Sequence, residues 1–446
     1  MSTQLQSFGR IFPPARAVMD HDEAVRRLRS GRVRPASILA FGNGRTYGDS
    51  CLNSGGTLAD MRGMDRVISF DPKTGVLEAE AGLLLGEIIR LGAPHGYFPA
   101  VVPGTQFVTL GGATANDVHG KNHHRRGTFG SHVVSLTLLR SDGRIYNCSR
   151  STNPSLFSAT IGGMGLTGLI LTVTIRLMPV ASPDVVERAT RFGSLAEFFD
   201  IAGAADAENE YVVAWIDQLA PRRREGRGVL FAGNHAEGAH AGAGKGRTPG
   251  VPFQPPMNVL NRPFLKTFNL AYRLAKGRAG ERRSGWGSFF FPLDGVRDWN
   301  RLYGPKGLYQ HQSVIPEAAA RETVPAMFEA ARRAGQGSFL TVLKRFGDIQ
   351  SPGILSFPRE GFTLTLDFPN HGASTLKLLA ELDRITVSAG GAVNPYKDAR
   401  MSAETFEASF PRWQELEAQR DEAFMSDFWL RTAARLDDRA LRAAAE

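Results

Sequence analysis

Cysteine is almost absent from this sequence: Cys51 and Cys148 are the two present among 446 residues. Two thiols cannot form the disulfide framework of a small secreted domain, so a reducing compartment is expected. No stretch approaches the roughly 20 apolar residues that span a bilayer. Residues 1–16 lack the apolar region of a signal peptide. These absences predict a cytoplasmic protein, or a peripheral one at the inner-membrane surface, without excluding the periplasm.

Negative charge is scarce in one segment. Residues 221–285 hold 13 Lys and Arg against three Glu, although the net charge of the whole chain is only +9. Because the excess is local, nucleic acid is not an expected partner. Apolar residues such as Phe253 and Phe264 are interleaved with the basic ones, which fits either a solvated loop or a peripheral membrane contact. Residues 233–250, rich in Gly and Ala without periodicity, predict mobility.

Glycine is concentrated in two places that point to a ligand. Residues 41–50 read Phe-Gly-Asn-Gly-Arg-Thr-Tyr-Gly-Asp-Ser, and residues 109–113 read Thr-Leu-Gly-Gly-Ala. Glycine lets backbone N–H groups approach a ligand closely, and Arg45 adds positive charge, so an anionic or phosphate-bearing ligand is indicated. The dinucleotide fingerprint is absent, because turn residues continue where a long helix should begin. Either cluster alone would also fit an ordinary turn.

Hydrophobic periodicity predicts an α+β protein with three parts: residues 1–180, residues 181–390, which include a mobile basic segment at about 220–285, and residues 391–446 returning to the first part. The predicted strands are residues 36–40, 58–61, 75–81, 133–140, 169–178, 210–217, 307–314, 338–346 and 362–368. Helices are predicted over residues 23–29, 83–91, from 154, 317–333, 374–387 and 404–442.

Four motifs in order resemble the FAD-binding half of the vanillyl-alcohol-oxidase-type (PCMH) flavoproteins. They are residues 44–49 (Gly-Arg-Thr-Tyr-Gly-Asp), 103–105 (Pro-Gly-Thr), 119–124 (His-Gly-Lys-Asn-His-His) and 163–168 (Gly-Met-Gly-Leu-Thr-Gly). The likeness continues in residues 303–305, 309–312, 344–347, 367–369 and 396–400, where it is to oxidases of lipid-linked pentoses within that superfamily. It implies a two-domain PCMH-type fold with an antiparallel-sheet substrate domain covered by helices.

The resemblance implies FAD as the cofactor. The residues expected to bind it are Gly42, Asn43, Gly44, Arg45, Thr46, Tyr47, Gly48, Asp49, Gly104, Thr109, Leu110, Gly111, Gly112, Asn116, Asp117, His119, Ile170 and Asn394. Many relatives attach FAD through a His or Cys in the first loop, but residues 45–48 contain neither, so FAD is expected to be non-covalent. His119, His123 and His124 also have spacing that suits zinc. No Cys or acidic partner is evident nearby, so no metal is predicted.

By the same resemblance, Lys397 is the expected catalytic cation near the flavin N1/C2=O edge, with His119 and Lys121 beside it. The expected substrate contacts are Gln310, Gln312, Lys344, Thr365 and Phe290. The family pattern has cysteine where this chain has Thr365, and tyrosine where it has Phe290 and Asn394. The proton acceptor stays open among His119, Lys397 and a bound water.

The implied activity is FAD-dependent oxidation of the 2'-hydroxyl of a polyprenylphosphoryl-β-D-ribose to a 2'-keto sugar. That would be the first half of an epimerisation to the arabinose form for cell-envelope polysaccharide, completed by a partner short-chain dehydrogenase/reductase, with a quinone-like electron acceptor. Two alternatives stay open: a soluble sugar, alditol or aldonolactone oxidase, and a non-catalytic flavin-binding subunit.

Overall fold

The computed structural model describes residues 4–238, 249–278 and 280–445. The strands in the described residues are β1 (Val18–Asp20), β2 (Ile38–Phe41), β3 (Thr57–Asp60), β4 (Val67–Asp71), β5 (Val76–Glu80), β6 (Tyr97–Phe98), β7 (Val133–Leu139), β8 (Ile145–Ser149), β9 (Leu169–Arg176), β10 (Met178–Pro179), β11 (Val185–Phe192), β12 (Tyr211–Ile216), β13 (Gly228–His235), β14 (Glu281–Ser284), β15 (Leu308–Ile315), β16 (Thr341–Phe346), β17 (Gly361–Pro369) and β18 (Ala392–Val393).

The α-helices in these ranges are α1 (His21–Arg29), α2 (Leu85–Gly92), α3 (Leu110–Ala115), α4 (His123–Arg126), α5 (Pro154–Thr160), α6 (Leu195–Glu208), α7 (Arg262–Lys276), α8 (Trp286–Phe290), α9 (Glu317–Arg333), α10 (Ala373–Ser388), α11 (Ala403–Ser409), α12 (Trp413–Glu417), α13 (Asp427–Arg431) and α14 (Ala433–Ala445). No helix within the described ranges is long and apolar enough to cross a membrane.

Helix α1 shows how local sequence fixes an element. Asp20 caps it by accepting a hydrogen bond from the Glu23 backbone N–H at 2.8 Å. Acidic residues occupy its first turn and arginines its last, which complements the helix dipole. Ala24 and Leu28, four residues apart, are fully buried on one face. The helix predicted over residues 23–29 is confirmed.

Two separate strand systems confirm the α+β class. Residues before 180 form a parallel sheet in the order β1-β3-β2, an antiparallel sheet in the order β4-β5-β9-β7-β8, and the short pair β10-β6. Residues 185–393 form one antiparallel sheet in the order β14-β11-β13-β12-β16-β17-β15-β18. The domain boundaries themselves stay a prediction.

The large antiparallel sheet has two different faces. Leu343 and Leu364 on one face pack with residues of α6, α9 and α10 in a buried apolar cluster. The next side chains along the same strands, Lys344 and Thr365, point the other way, because strand residues alternate between faces. This opposite face lines the cavity described below.

The C-terminal residues return to the first sheet system. Met425 donates its backbone N–H to Ile38 O at 3.1 Å, and Phe424 forms a parallel bridge with Ile38. The prediction of one helical stretch over residues 404–442 was wrong, since α11, α12, α13 and α14 are short and separate. Pro411 contributes to the first break, because the residue before a proline is disfavoured in helical conformation.

The basic segment is more regular than its composition predicted. It contains β13, α7 and β14, and the mobility of the segment stays a prediction. Strand β14 pairs with β11, and Arg282 forms an ion pair with Glu187 across that pairing. Because most residues of β14 are charged, hydrophobic alternation did not predict this strand. The predicted mobile residues 239–248 lie outside the described residues.

Candidate active site

A cavity of about 1000 Å³ lies between the Gly-rich loops and the large sheet. This is at the upper end of the range for small-molecule and cofactor sites. Of the residues predicted from sequence, its walls include Gly42, Asn43, Gly44, Arg45, Thr46, Tyr47, Gly104, Thr109, Gly111, Gly112, Asn116, His119, Lys121, Ile170, Phe290, Gln310, Gln312, Lys344, Thr365 and Lys397. The fold therefore brings together residues up to 355 positions apart in the sequence.

The loop after β2 presents unused backbone donors to this cavity. The N–H groups of residues 43–46 donate to no acceptor within the described part of the chain. Gly44 has a φ of +59°, which favours glycine, and Asn43 Nδ2 anchors the loop by donating to Phe107 O at 2.9 Å. A Cβ on Gly42 would lie 2.5 Å from Thr109 Oγ1, so only glycine fits there. Successive free amides suit the pyrophosphate of a dinucleotide.

Arg45 adds a positive charge to the same wall. Its guanidinium lies 5.0 Å from the ring centroid of Phe107 and 5.7 Å from that of Phe8, as in cation–π contacts. Burial lowers the pKa of Arg45, against the raising effect of Asp294 and Asp298. Its Nε is buried without a hydrogen-bond partner in the described part of the chain. A buried unpaired donor of this kind fits an anionic ligand.

The second Gly-rich stretch, residues 109–113, shapes the cavity wall rather than offering backbone N–H donors to a ligand. The N–H groups of Leu110 and Gly111 donate to Leu83 O at 2.8 Å and to Ala81 O at 2.7 Å. The N–H of Gly112 donates to Thr109 Oγ1 at 3.2 Å. The prediction that these amides bind phosphates was therefore wrong, because they are already paired. Leu110 itself is fully buried in an apolar cluster and does not line the cavity.

Three more predicted cofactor contacts lie behind the cavity wall. Asp49 accepts two hydrogen bonds from Arg431, at 2.7 and 3.0 Å. A Cβ on Gly48 would lie 1.7 Å from Asp398 O, so this glycine permits backbone packing. Asp117 accepts from Ser351 and Ser356 at 2.5 Å and from the Gly130 N–H at 2.7 Å. None of the three lines the cavity, so these contacts were wrongly predicted: the residues support the loops.

Asn394 is also not a cavity residue. It is fully buried and donates from Nδ2 to Gln312 Oε1 at 2.9 Å. Its Oδ1 accepts from the Tyr396 N–H at 3.1 Å. Both ends of the amide are thereby used inside the protein. The predicted cofactor contact is replaced by a role in orienting Gln312.

Gln310, Gln312, Lys344 and Thr365 form one polar wall. They lie on the adjacent strands β15, β16 and β17, where Gln312 pairs with Thr365 in register. Lys344 Nζ lies 3.2 Å from His119 Nδ1, and Gln312 Nε2 lies 3.0 Å from His119 Nε2. Burial, the largest cause, holds the pKa of His119 well below its usual value. His119 is therefore neutral.

Lys397 lies in the same cavity beside a buried acid. Its Nζ is 4.4 Å from the ring centroid of Tyr47. Burial lowers the pKa of Lys397 to about 8, while Asp367 acts to raise it. Burial in turn raises the pKa of Asp367 to about 7, and Gln310 Nε2 donates to that carboxyl at 2.5 Å. Lys397 thus supplies a positive charge in a buried environment, near the carboxyl group of Asp367.

Two predicted residues have partners in the protein. Lys121 donates to Phe289 O and lies 4.4 Å from the Phe289 ring centroid. Burial lowers the pKa of Lys121 to about 8. Phe290 is buried in an aromatic cluster, with its ring centroid 4.8 Å from that of Tyr211. Both still line the cavity.

The histidines that follow His119 diverge from it. His123 packs against the Phe346 ring at 4.6 Å, and His124 lies 3.8 Å from Asp206. No group of three or more His, Cys, Asp or Glu in the described ranges is placed to hold a metal ion.

Some cavity residues have no sequence signal. Phe8 and Arg10 come from an N-terminal stretch without periodicity, and Tyr272 comes from α7. Tyr396 is the neighbour of the predicted Lys397, and its OH is buried without a partner in the described part of the chain. The motif at residues 396–400 was a signal for Tyr396. The others become functional candidates only through tertiary contacts.

The comparisons with known proteins agree with this geometry. An FAD binding domain family matches residues 16–149. The decaprenylphosphoryl-β-D-ribose oxidase of Mycolicibacterium smegmatis is 35% identical over 430 residues, covering 92% of each chain. The chain belongs to the family of that oxidase. A Streptomyces coelicolor protein is 32% identical, covering 74% of this chain and 92% of its own. Mouse L-gulonolactone oxidase is 30% identical over 34% of each chain.

The family assignment makes this protein an FAD-dependent oxidoreductase, and the cavity fits that cofactor. The free backbone N–H groups of residues 43–46 and the unpaired Arg45 Nε are available to the pyrophosphate. Lys397 supplies positive charge elsewhere in the same cavity. The cavity also contains Cys51, a residue type that some flavoproteins link to FAD. Burial, with a contribution from Asp49, raises the pKa of Cys51 to about 12. A thiol with this pKa is a poor nucleophile, which is compatible with non-covalent FAD.

Proposed function

We propose that this protein oxidises the 2'-hydroxyl of a polyprenylphosphoryl-β-D-ribose to the 2'-keto sugar. The observation that carries the proposal is the position of α7. Tyr272 on one side of this helix lines the cavity, whereas Leu270 and Leu274 on the other side are 49% and 52% exposed. Because one side of α7 lines the cavity and the other side is apolar and exposed, this helix suits a substrate with a sugar head and a lipid chain. A free polyol has no lipid chain to contact the exposed leucines of α7.

The wall residues give each part of such a head group a partner. Gln310 Oε1 has no partner in the described part of the chain and can accept from a sugar hydroxyl, and Lys344 and Lys397 lie in the same cavity. The bound FAD supplies the hydride acceptor. The charge of Lys397 offsets negative charge that develops as the alcohol is oxidised. By the same proposal, a short-chain dehydrogenase/reductase reduces the ketone, and a quinone-like acceptor reoxidises the protein.

Anaerobic mixing tests the substrate. FAD-loaded protein is mixed with polyprenylphosphoryl ribose, and the flavin absorbance is followed. Free ribose, alditols and aldonolactones are run in parallel. We expect bleaching by the lipid-linked sugar alone. Bleaching by free polyols would instead place the protein among soluble oxidases, and a flavin that none of these compounds bleaches would favour a non-catalytic flavin-binding subunit.

The proposed function includes peripheral contact with an anionic membrane through α7. Arg262, Lys266 and Lys276 are exposed on the same helix as Leu270 and Leu274. Interleaved basic and apolar side chains are typical of helices that lie in the interface of anionic bilayers. Each basic residue near such a surface contributes about 1 kcal/mol, which is screened by salt.

We predict that Leu270→Glu with Leu274→Glu weakens binding to phosphatidylglycerol vesicles at least tenfold. The changes remove apolar contact and add two negative charges. The measurement is co-sedimentation at two salt concentrations, with phosphatidylcholine vesicles alongside. Ile68→Glu is the matched control, because Ile68 is 51% exposed on β4, an element distant in sequence and sheet from α7. Equal binding by the double variant and the control would contradict the contact.

A further inference from the structure

A chain of hydrogen bonds fixes where protons lie in the polar wall. The Tyr396 N–H donates to Asn394 Oδ1 at 3.1 Å, so Asn394 turns its amide nitrogen toward Gln312 Oε1, at 2.9 Å. With its oxygen engaged, Gln312 presents Nε2 to His119, 3.0 Å from the ring Nε2. An amide nitrogen only donates. His119 Nε2 is therefore the acceptor in this contact.

It follows that His119 carries its proton on Nδ1, since a neutral imidazole has one N–H and one acceptor nitrogen. This Nδ1 lies 3.2 Å from Lys344 Nζ. A hydrogen bond there requires Lys344 to accept, and only an uncharged amine has a lone pair. The amine's own N–H groups face Gly120 O, at 3.5 Å. The network holds Lys344 as a neutral amine.

The surroundings of Lys344 agree with this state. Burial, followed by the charges of Lys121 and Lys397, lowers its pKa to about 7. His119 and Lys344 also face His123 and the ring of Phe346, whose centroid is 5.8 Å from Lys344 Nζ. No carboxylate is among the groups that shift the pKa of Lys344. Neighbouring cations favour the uncharged form of a buried amine.

We propose that Lys344 is the proton acceptor of the oxidation and that His119 donates from Nδ1 to the same substrate oxygen. The proposal rests on the proposed function and deepens it. A substrate hydroxyl replaces the hydrogen bond between His119 and Lys344: it donates to Lys344 Nζ and accepts from His119 Nδ1–H. Its proton passes to the lysine lone pair, the electron pair of the C–H bond leaves with the hydride to the bound flavin, and a C=O bond forms. Gln312 and Asn394 are positioning residues.

The proton positions can be measured without substrate. Long-range ¹H–¹⁵N spectra of the holoprotein with ¹⁵N-labelled histidine distinguish the two tautomers, and His119→Gln assigns the signal. We expect the Nδ1–H tautomer at pH 7.5. In Gln312→Glu the carboxylate accepts from Nε2, so the signal should move to the Nε2–H or doubly protonated form. A wild-type His119 in the Nε2–H tautomer would overturn the proposal.

Kinetics test the base itself. We expect Lys344→Ala to slow flavin reduction about 10²- to 10⁴-fold, the usual contribution of a general base. Added methylamine or ethylamine should restore the rate in proportion to the free amine. Lys344→Arg keeps a positive charge but cannot accept a proton, so it should stay slow. Reduction of Lys344→Arg at the wild-type rate would overturn the proposal.

The pH profile gives an independent readout. In the wild type, flavin reduction should rise through about pH 7 as Lys344 loses its proton and fall through about pH 8 as Lys397 loses its own. With Lys344→Ala and saturating amine, the rising limb should move to the pKa of the amine. An unchanged rising limb would show that another group is the base.

Failure of the proposed substrate is distinguishable from failure of this inference. If free polyols alone reduce the wild-type flavin, the lipid-linked substrate is wrong, and the same variants are tested with that polyol. The measurement of the His119 tautomer needs neither the lipid-linked sugar nor a polyol. Retained FAD absorbance and an unchanged thermal midpoint show that each variant is folded.

Discussion

Replacing Lys397 with methionine should lower the rate of flavin reduction about 10²- to 10³-fold while FAD stays bound. This is the cost of removing one fixed group that stabilises developing charge in an active site. Methionine keeps most of the side chain's length and removes its charge. The partner acid does not remain as a bare charge, because burial already raises the pKa of Asp367 to about 7 and the loss of the lysine lets it bind a proton.

Stopped-flow reduction with saturating substrate at pH 7.5 measures this effect. Lys377→Met is the matched control, because Lys377 is exposed on α10 and does not line the cavity. It should reduce the flavin at the wild-type rate. FAD content is determined from absorbance before each run. If Lys397→Met were reduced as fast as Lys377→Met, the charge would have no part in hydride transfer.

Much of the active site was predictable because its residues lie in short motifs. Gly42, Gly44 and Arg45 occupy a loop whose glycine pattern indicates backbone donors, and the structure leaves the amides of residues 43–46 available to a ligand. Gln310 and Gln312 alternate on one strand, so their common face follows from period two. These inferences need no knowledge of residues distant in the sequence.

The wrong assignments concern residues whose partners are distant in the sequence. Asp49 and Asp117 occur inside ligand-binding motifs, so a motif assigns them to the ligand. In the structure, Asp49 binds Arg431 and Asp117 binds Ser351 and Ser356. No local pattern shows such a pairing. The same is true of β14, whose charged residues become a strand only by pairing with β11.

The protonation of the wall is a property of the assembled network. The sequence alone leaves the proton acceptor open among His119, Lys397 and water. Only the arrangement of β15 and β16 in the sheet brings Gln312 to Nε2 of His119 and Lys344 to Nδ1 of the same ring. The orientation of the Gln312 amide depends on Asn394, at a position where the family pattern has tyrosine. This difference is therefore part of the chemistry as well as of the packing.

Replacing Arg431 with methionine should lower the free energy of unfolding by about 3–5 kcal/mol, as expected when one member of a buried ion pair is removed. Arg431 on α13 binds Asp49 at 2.7 Å and Asp398 at 2.5 Å, and both acids have side chains at most 3% exposed. Without the arginine, Asp49 is left buried beside Asp398. Burial already raises the pKa of Asp49, so the loss should shrink as the pH falls and this acid binds a proton.

Urea unfolding of the FAD-loaded protein, with circular dichroism as the signal, measures this change at pH 8 and pH 5. Arg439→Met is the control, because Arg439 pairs with Glu404 at the surface, with side chains 63% and 60% exposed. That variant should lose less than about 1 kcal/mol. Equal losses in the two variants would contradict a buried role for Arg431.

The same variant should bind FAD more weakly, and this follows from what Arg431 joins. Asp49 belongs to the first glycine loop, and Asp398 follows Lys397 by one residue, with Gly48 packed on its carbonyl. One guanidinium from the C-terminal residues thus connects the loop proposed to bind pyrophosphate to the turn that contains Lys397. Titration of the deflavinated variant with FAD should show a raised Kd, whereas Arg439→Met should bind FAD like the wild type.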